Sequence, residues 1–196
     1  MIIKTFLIYS NFNDINLLEQ PKEKPSQTLF VEILKTDNYG LFQASSKIHG
    51  MEAIESKLLG YNISRIQCEL KSNSGITGLK LSCRNRTENS KVDVIDIPSK
   101  KKTNLVQEFN LEPSEFITEV RVWMQERLTG FEVATNKGSV KKFGYGEDDT
   151  LIKIPEFEIK DKIVVGFEFC ADEKDGVTGL CCYYLNRNKF LMVLHT

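Results

Sequence analysis

The sequence predicts an all-β domain built from three equivalent units closed around one shared core. Three observations carry this reading. First, Ile76-Thr77-Gly78-Leu79-Lys80-Leu81, Leu128-Thr129-Gly130-Phe131-Glu132-Val133 and Val177-Thr178-Gly179-Leu180-Cys181-Cys182 repeat one pattern: aliphatic, Thr, Gly, large apolar, any residue, apolar. A period of about 50 residues marks a fold made of equivalent supersecondary units, and three units are too few for a long solenoid. Second, each stretch follows another apolar strand-like run, Ile63 to Leu70, Phe116 to Trp123 and Ile163 to Phe169. The unit is therefore strand, short polar loop, Thr-Gly, strand. Third, turn signals recur between the runs at Asn73-Ser74-Gly75, Pro98-Ser99, Glu112-Pro113-Ser114, Asn136-Lys137-Gly138, Lys160-Asp161-Lys162 and Asp175-Gly176. Regularly spaced turns between short strands belong to a sandwich, barrel or prism.

From the start of the chain, Ile2 to Tyr9 reads as a strand by its β-branched and aromatic content. Asp14 to Gln20 can form a helical turn, and Pro21-Lys22-Glu23-Lys24-Pro25-Ser26 is a polar, proline-bounded break. Leu29 to Leu34 reads as a second strand. From Tyr39 onward nearly everything is strand and turn. Only Met51 to Leu59 has helical potential, and it can equally be an irregular loop. Glu156 to Lys160 alternates through Phe157 and Ile159, and Phe190 to Leu194 is a last apolar run. The organisation is an N-terminal extension over 1–38, a domain over 39–187 and a tail over 188–196. The expected core is Ile66, Leu79, Leu81, Val120, Val122, Phe131, Val133, Val165 and Phe167, which face inward by strand alternation.

Composition excludes several classes of function. The 26 basic and 27 acidic residues leave a net charge of −1, so no global field attracts nucleic acid or an anionic membrane. The one dense basic run, Lys100-Lys101-Lys102, has no aromatic neighbours for base stacking and reads as a solvated hairpin tip. Met1 to Ser10 is too short and too interrupted by Lys4 for a membrane span, and it lacks the layout of a signal peptide. The five cysteines are odd in number, contain no C-x-x-C and sit in apolar strand runs; with only two histidines, zinc and a disulfide framework are not expected. This usage points to an intracellular, cytoplasmic setting. No G-x-S-x-G, H-E-x-x-H or phosphate-binding glycine loop occurs, and Glu147-Asp148-Asp149 lacks the alternation of a calcium loop. The sequence therefore predicts neither an enzyme nor a cofactor.

The segment Leu128 to Gly146 resembles the jacalin-related lectins. It carries an apolar strand, then Thr135-Asn136-Lys137, a short turn, and Tyr145 between Gly144 and Gly146. Ile163-Val164-Val165-Gly166-Phe167 looks like that family's next strand, and Cys182-Tyr183-Tyr184-Leu185 is similar to its closing strand. Ile63 to Cys83 looks like the family's early pair of strands. The resemblance spans roughly Tyr39 to Arg187. It implies a β-prism of three four-stranded antiparallel Greek-key sheets with pseudo-three-fold symmetry, plus added terminal strands. It also implies a monosaccharide site in a Gly-x-x-x-Asp loop before the last strand.

That loop is degenerate here. The Asp position falls on Thr178, or on Gly179 with a one-residue shift, and the leading Gly falls on Lys174 or Asp175. A Thr hydroxyl cannot stand in for a fixed carboxylate accepting two sugar hydroxyls, and losing such a charge-assisted bond costs about 1.5–3 kcal/mol. The glycine-rich loop that the family carries near its start is reduced to Tyr39-Gly40-Leu41-Phe42-Gln43-Ala44, and the loop between Trp123 and Leu128 is shortened. Lys174, Asp175, Gly176, Val177 and Thr178 are thus a vestigial carbohydrate loop. The favoured function is a non-enzymatic interaction subunit of a protein assembly. The alternative is a mannose- or galactose-type lectin using a rebuilt loop, with Asp172, Glu173 and Asp175 as its carboxylates. The terminal apolar runs either pair with each other or add to a partner by strand addition. Ile3, Phe6, Ile8, Phe12, Leu17 and Phe30 are the expected partner contact.

Overall fold

The computed structural model describes residues 4–8, 29–43, 46–50, 61–71, 75–85, 90–99, 105–146, 151–153, 161–172, 174 and 176–188. The expectations for Asp14 to Gln20, Met51 to Leu59, Lys100 to Lys102, Glu147 to Asp149, Glu156 to Lys160 and Phe190 to Leu194 lie outside these residues. So do Ile3, Phe12, Leu17, Glu173 and Asp175.

Fourteen strands are described: β1 (Lys4–Ile8), β2 (Leu29–Lys35), β3 (Tyr39–Gly40), β4 (Lys47–His49), β5 (Tyr61–Lys71), β6 (Gly75–Asn85), β7 (Lys91–Ile97), β8 (Leu105–Asn110), β9 (Ile117–Met124), β10 (Leu128–Thr135), β11 (Val140–Gly144), β12 (Leu151–Lys153), β13 (Lys162–Asp172) and β14 (Gly176–Asn186). They form three antiparallel sheets, each around one of the repeated hairpins. The first runs β7-β6-β5-β8 and the second β11-β10-β9-β12. Both are Greek keys: the fourth strand returns to lie beside the first. In the third sheet β4 flanks β13, and β3 and β2 flank β14, with β1 beyond β2. The third unit thus takes its central hairpin from the end of the chain and its flanking strands from the beginning.

The Thr-Gly steps are β-bulges, and all three share one geometry. Glu69 pairs with Gly78 while Leu70 pairs with Ile76, which leaves Thr77 as the extra residue. Thr129 and Thr178 are skipped in the same way. Each Thr hydroxyl donates to the carbonyl of the residue paired with the following glycine: Glu69 at 3.0 Å, Trp123 at 3.0 Å and Cys170 at 3.4 Å. Each glycine is required by crowding. A Cβ would stand 2.8 Å from Ser99 N at Gly78, 2.6 Å from Phe143 O at Gly130 and 2.4 Å from the Phe42 ring at Gly179.

A second triplet of bulges lies at the other end of each hairpin, at Ser64, Thr118 and Val165. Ser64 and Thr118 bond across to Ser82 O and Ala134 O. Bulges increase local twist and bend. Two of them per hairpin, repeated in each sheet, curl the three sheets around one axis.

The core lies on that axis. All nine expected core residues are buried, together with Leu70, Ile76, Ile117, Phe143, Phe169 and Leu180. The five cysteines are buried and free. Burial pushes the Cys83 thiol up to about 12, so it behaves as a small hydrophobe rather than a nucleophile. The third sheet begins ahead of position 39: Ile33 joins the core, and Thr36 exchanges bonds with Cys182, N to O at 2.9 Å and Oγ1 from N at 3.0 Å. β1 pairs with β2 from Lys4↔Ile33 to Ile8↔Leu29.

Candidate functional site

The three hairpin turns meet at one end of the prism. A Cβ at Gly176 would stand 2.6 Å from Ile76 O, and one at Gly75 would stand 3.6 Å from Thr129 O. A Cβ at Gly40 would stand 2.4 Å from Thr178 O and 3.2 Å from Leu128 N. Gly176 therefore packs on the bulge of the first sheet, Gly75 faces that of the second, and Gly40 lies between the bulge of its own sheet and Leu128. Gly40 and Gly144 both have left-handed backbones, at φ 101° and 81°, where their strands cross a bulge. The residue after each bonds back to the bulge, Leu41 N to Thr178 O and Tyr145 N to Thr129 O, both at 3.0 Å.

At this end the vestigial loop is closed on itself. Val177 and Thr178 are buried. The Thr178 hydroxyl is shared between Leu41 O at 2.9 Å and Cys170 O at 3.4 Å. It has no proton left for a ligand. Gly176 is wedged against Ile76 and Thr77, and Phe42 covers Gly179. Lys174 is exposed, and its amide donates to Asp172 Oδ1 at 2.6 Å.

The same end carries the exposed apolar surface. Among the described residues, seven large apolar side chains are exposed, and six of them, Leu41, Ile48, Leu105, Val106, Tyr145 and Ile152, flank the bulges. Val106 pairs with Glu69 and Ile48 with Cys170, both one rung from a bulge. Leu41 and Tyr145 occupy equivalent places after Gly40 and Gly144. Only Val140 lies at the other end. Sequence reading missed this rim, because its members are far apart in the chain and come together only at the seams between sheets.

The Thr135-Asn136-Lys137 stretch, which carried the family resemblance, lies at the opposite end and is a structural knot. The Asn136 Oδ1 accepts from Phe116 N at 2.7 Å, and its Nδ2 donates to Ser114 O at 3.2 Å. The Thr135 hydroxyl donates to the buried Glu115 carboxylate at 2.7 Å, and Lys137 pairs with Glu112. Burial pushes the Glu115 carboxyl up, but hydrogen bonds from Thr135, Ser139 and the Glu112 amide outweigh it and hold the group below its ordinary value. A depressed native value means that the unfolded chain takes up the proton first as pH falls. The stabilisation from Glu115 is therefore complete above the ordinary carboxylate range and is lost as pH drops through the native value. Thermal melts between neutral and acid pH should show Glu115→Gln well below wild type at neutrality, with the gap closing on acidification.

A second titratable cluster sits on the outer face of the third sheet. Lys35 Nζ meets Glu168 Oε1 at 2.8 Å, Tyr183 OH donates to Glu168 Oε2 at 2.7 Å, and Cys181 Sγ lies 3.7 Å from Glu168 Oε1. Burial, then the Glu168 charge, pushes the Cys181 thiol up to about 12. Burial pulls the Lys35 ammonium down, but its hydrogen bond to Glu168 and the charge and hydrogen-bond contributions of Glu168 and Cys181 together outweigh this and leave it raised. The cluster fastens β2 to the prism. Among the described residues no three His, Cys, Asp or Glu side chains gather as a metal site, and no helix is long and apolar enough to cross a membrane.

Residues 44–177 match the family described as the Jacalin-like lectin domain. No curated protein matches the chain in sequence. The crystal structure of the agglutinin from Calystegia sepium superposes with a TM-score of 0.60 at 13% identity, over 78% of this chain and 96% of that one. A mannose-binding lectin from Champedak gives 0.56 at 16% identity, over 77% and 95%. Artocarpin, in complex with mannotriose, gives 0.58 at 15% identity, over 77% and 96%. These likenesses establish the β-prism fold.

Proposed function

The chain belongs to the Jacalin-like lectin domain family, and on that premise we propose that it is a carbohydrate-binding module acting through the hairpin end of its prism. The ligand class is a hexopyranose of mannose or galactose type. One observation carries this reading: six of the seven large exposed apolar side chains among the described residues lie toward that end of the sheets. An apolar rim beside polar turns suits a ligand that presents C–H faces and hydroxyls together. The five buried, free thiols support placing this activity in a reducing compartment. Binding without catalysis is proposed, since no activated nucleophile or acid–base pair is found at that end among the described residues. Screening the folded full-length chain on a glycan array should give retention of a narrow set of hexose-terminated glycans. Retention of none would refute the reading.

One observation favours a second reading, a structural subunit of a protein assembly. β2 pairs with β14 only through Leu34 and Lys35, so Leu29 to Ile33 carry β1 past the last rung of that ladder. Among the described residues β1 is the end strand of its sheet, and a free edge is a template for strand addition. Ile3, Phe6, Ile8, Phe12, Leu17 and Phe30 are the partner contact in this reading. Removal of residues 1–28 leaves β2 and the core residue Ile33 in place. The reading expects that truncation to abolish capture of a protein partner while the prism stays folded; undiminished capture would exclude it.

A further inference from the structure

We propose that the carbohydrate site of this chain has moved from the third repeat to the second, where Tyr145 is its platform and the Gln125–Arg127 turn supplies its polar contacts. This rests on the carbohydrate reading above. The ligand class is a pyranose with one continuous C–H face.

The pseudo-three-fold places equivalent parts at each repeat: a hairpin turn, and a strap that crosses the bulge. In the third repeat these are Asp172 to Gly176 and Gly40 to Phe42. There the Thr178 hydroxyl is consumed by the strap carbonyl of Leu41, and Phe42 packs onto Gly179. Among the described residues, the bulge there carries a hydroxyl already bonded to the strap, and the Phe42 ring is packed.

In the second repeat the parts are Gln125 to Arg127 and Gly144 to Gly146. The strap is fixed on both sides of Tyr145. A Cβ at Gly144 would stand 2.5 Å from Thr129 O, and one at Gly146 would stand 2.0 Å from the Trp123 ring. Gly144 N donates to Gln107 Oε1 at 2.9 Å, Tyr145 N donates to Thr129 O at 3.0 Å, and Lys142 Nζ donates to Gly146 O at 3.0 Å while lying 4.1 Å over the Trp123 ring. The backbone under Tyr145 is thus held by three hydrogen bonds, yet its side chain is 40% exposed. A rigid, exposed aromatic loses little entropy on binding.

Its surroundings suit an amphipathic sugar. Gln107 ties the strap to β8, whose Leu105 and Val106 are exposed on the first-sheet side of the seam. On the other side the turn exposes Gln125 and Glu126, an amide and a carboxylate, four and three residues before Thr129, the bulge residue that holds Tyr145. A carboxylate accepts from vicinal hydroxyls while the ring and the aliphatic rim cover the opposite face.

The test uses the full chain and the glycan best retained on the array, with affinities measured by calorimetry. Tyr145→Ala and Tyr145→Leu should each weaken binding by about fivefold or more, Tyr145→Trp should hold it within about twofold, and Glu126→Gln should weaken it. Melting temperatures identify any variant that fails to fold, and Tyr145→Trp with Glu126→Gln then decides. Glycan binding that survives Tyr145→Leu and Glu126→Gln but is lost in Asp172→Asn/Lys174→Ala overturns the relocated site and leaves the carbohydrate reading standing. Absence of glycan binding by wild type overturns both.

Discussion

Phe131→Ala is expected to destabilise the protein by about 3–5 kcal/mol, the range for truncating a fully buried aromatic. Phe131 has no exposed surface, and its ring centroid lies 5.0 Å from Phe143, 5.9 Å from Phe169 and 6.3 Å from Phe167. Phe143 belongs to the second sheet, whereas Phe167 and Phe169 belong to the third and stack on each other at 5.7 Å. The Phe131 ring therefore joins two sheets near the axis. Its removal forfeits both the transfer energy and the aromatic contacts, and leaves a cavity between two sheets. At this chain length the melting temperature should fall by roughly 6–20 °C. Phe131→Leu should cost distinctly less, because it preserves most of the volume. A loss below about 1.5 kcal/mol for the alanine variant in urea titrations would show that the sheets are held by something other than this cluster.

Lys35→Met should cost about 2–4 kcal/mol, because removing one partner of a buried ion pair strands the other. Glu168 is 7% exposed against 23% for the Lys35 side chain, so the carboxylate suffers more from losing the pair. Tyr183 OH remains as its one strong donor at 2.7 Å. The double variant Lys35→Met/Glu168→Gln keeps an acceptor for Tyr183 without the stranded charge. It should be more stable than the sum of its single variants by at least about 1 kcal/mol. Additive effects in the double-mutant cycle would mean that the pair is solvated and that β2 is held by Thr36 and Ile33 alone.

The Thr-Gly repeats were legible because the bulge needs two specific residues: a hydroxyl able to reach the carbonyl across the ladder, and a following residue without a Cβ. The second set of bulges left no such mark. Its members are Ser64, Thr118 and Val165, and the last makes no hydroxyl bond, so no shared residue type exposes the period. The third sheet was only partly legible. β3 and β4 have two and three residues, too few for alternation to show, and they join the last hairpin across most of the chain. The Lys35–Glu168 pair spans 133 residues and has no sequence signature. That Thr178 and Gly179, the two places the resemblance offers for the family's carboxylate, carry none could be read from the loop. What the hydroxyl does instead could not, because its acceptor, Leu41 O, is brought in by a strap from the start of the chain. The Gly-Tyr-Gly strap was visible as a family feature, but the hold that Gln107 and Trp123 give it from two other strands was not.

Sugar binding at the hairpin end of the prism is tested most directly by an amide NMR titration of the full chain with its best-retained glycan. Saturable shifts are expected to be confined to the bulges and straps around Gly40 to Phe42, Gln125 to Gly130 and Gly144 to Gly146, with none at the Glu115–Thr135 knot. Shifts centred on that knot or on β1, or no shift at ligand excess, would contradict it.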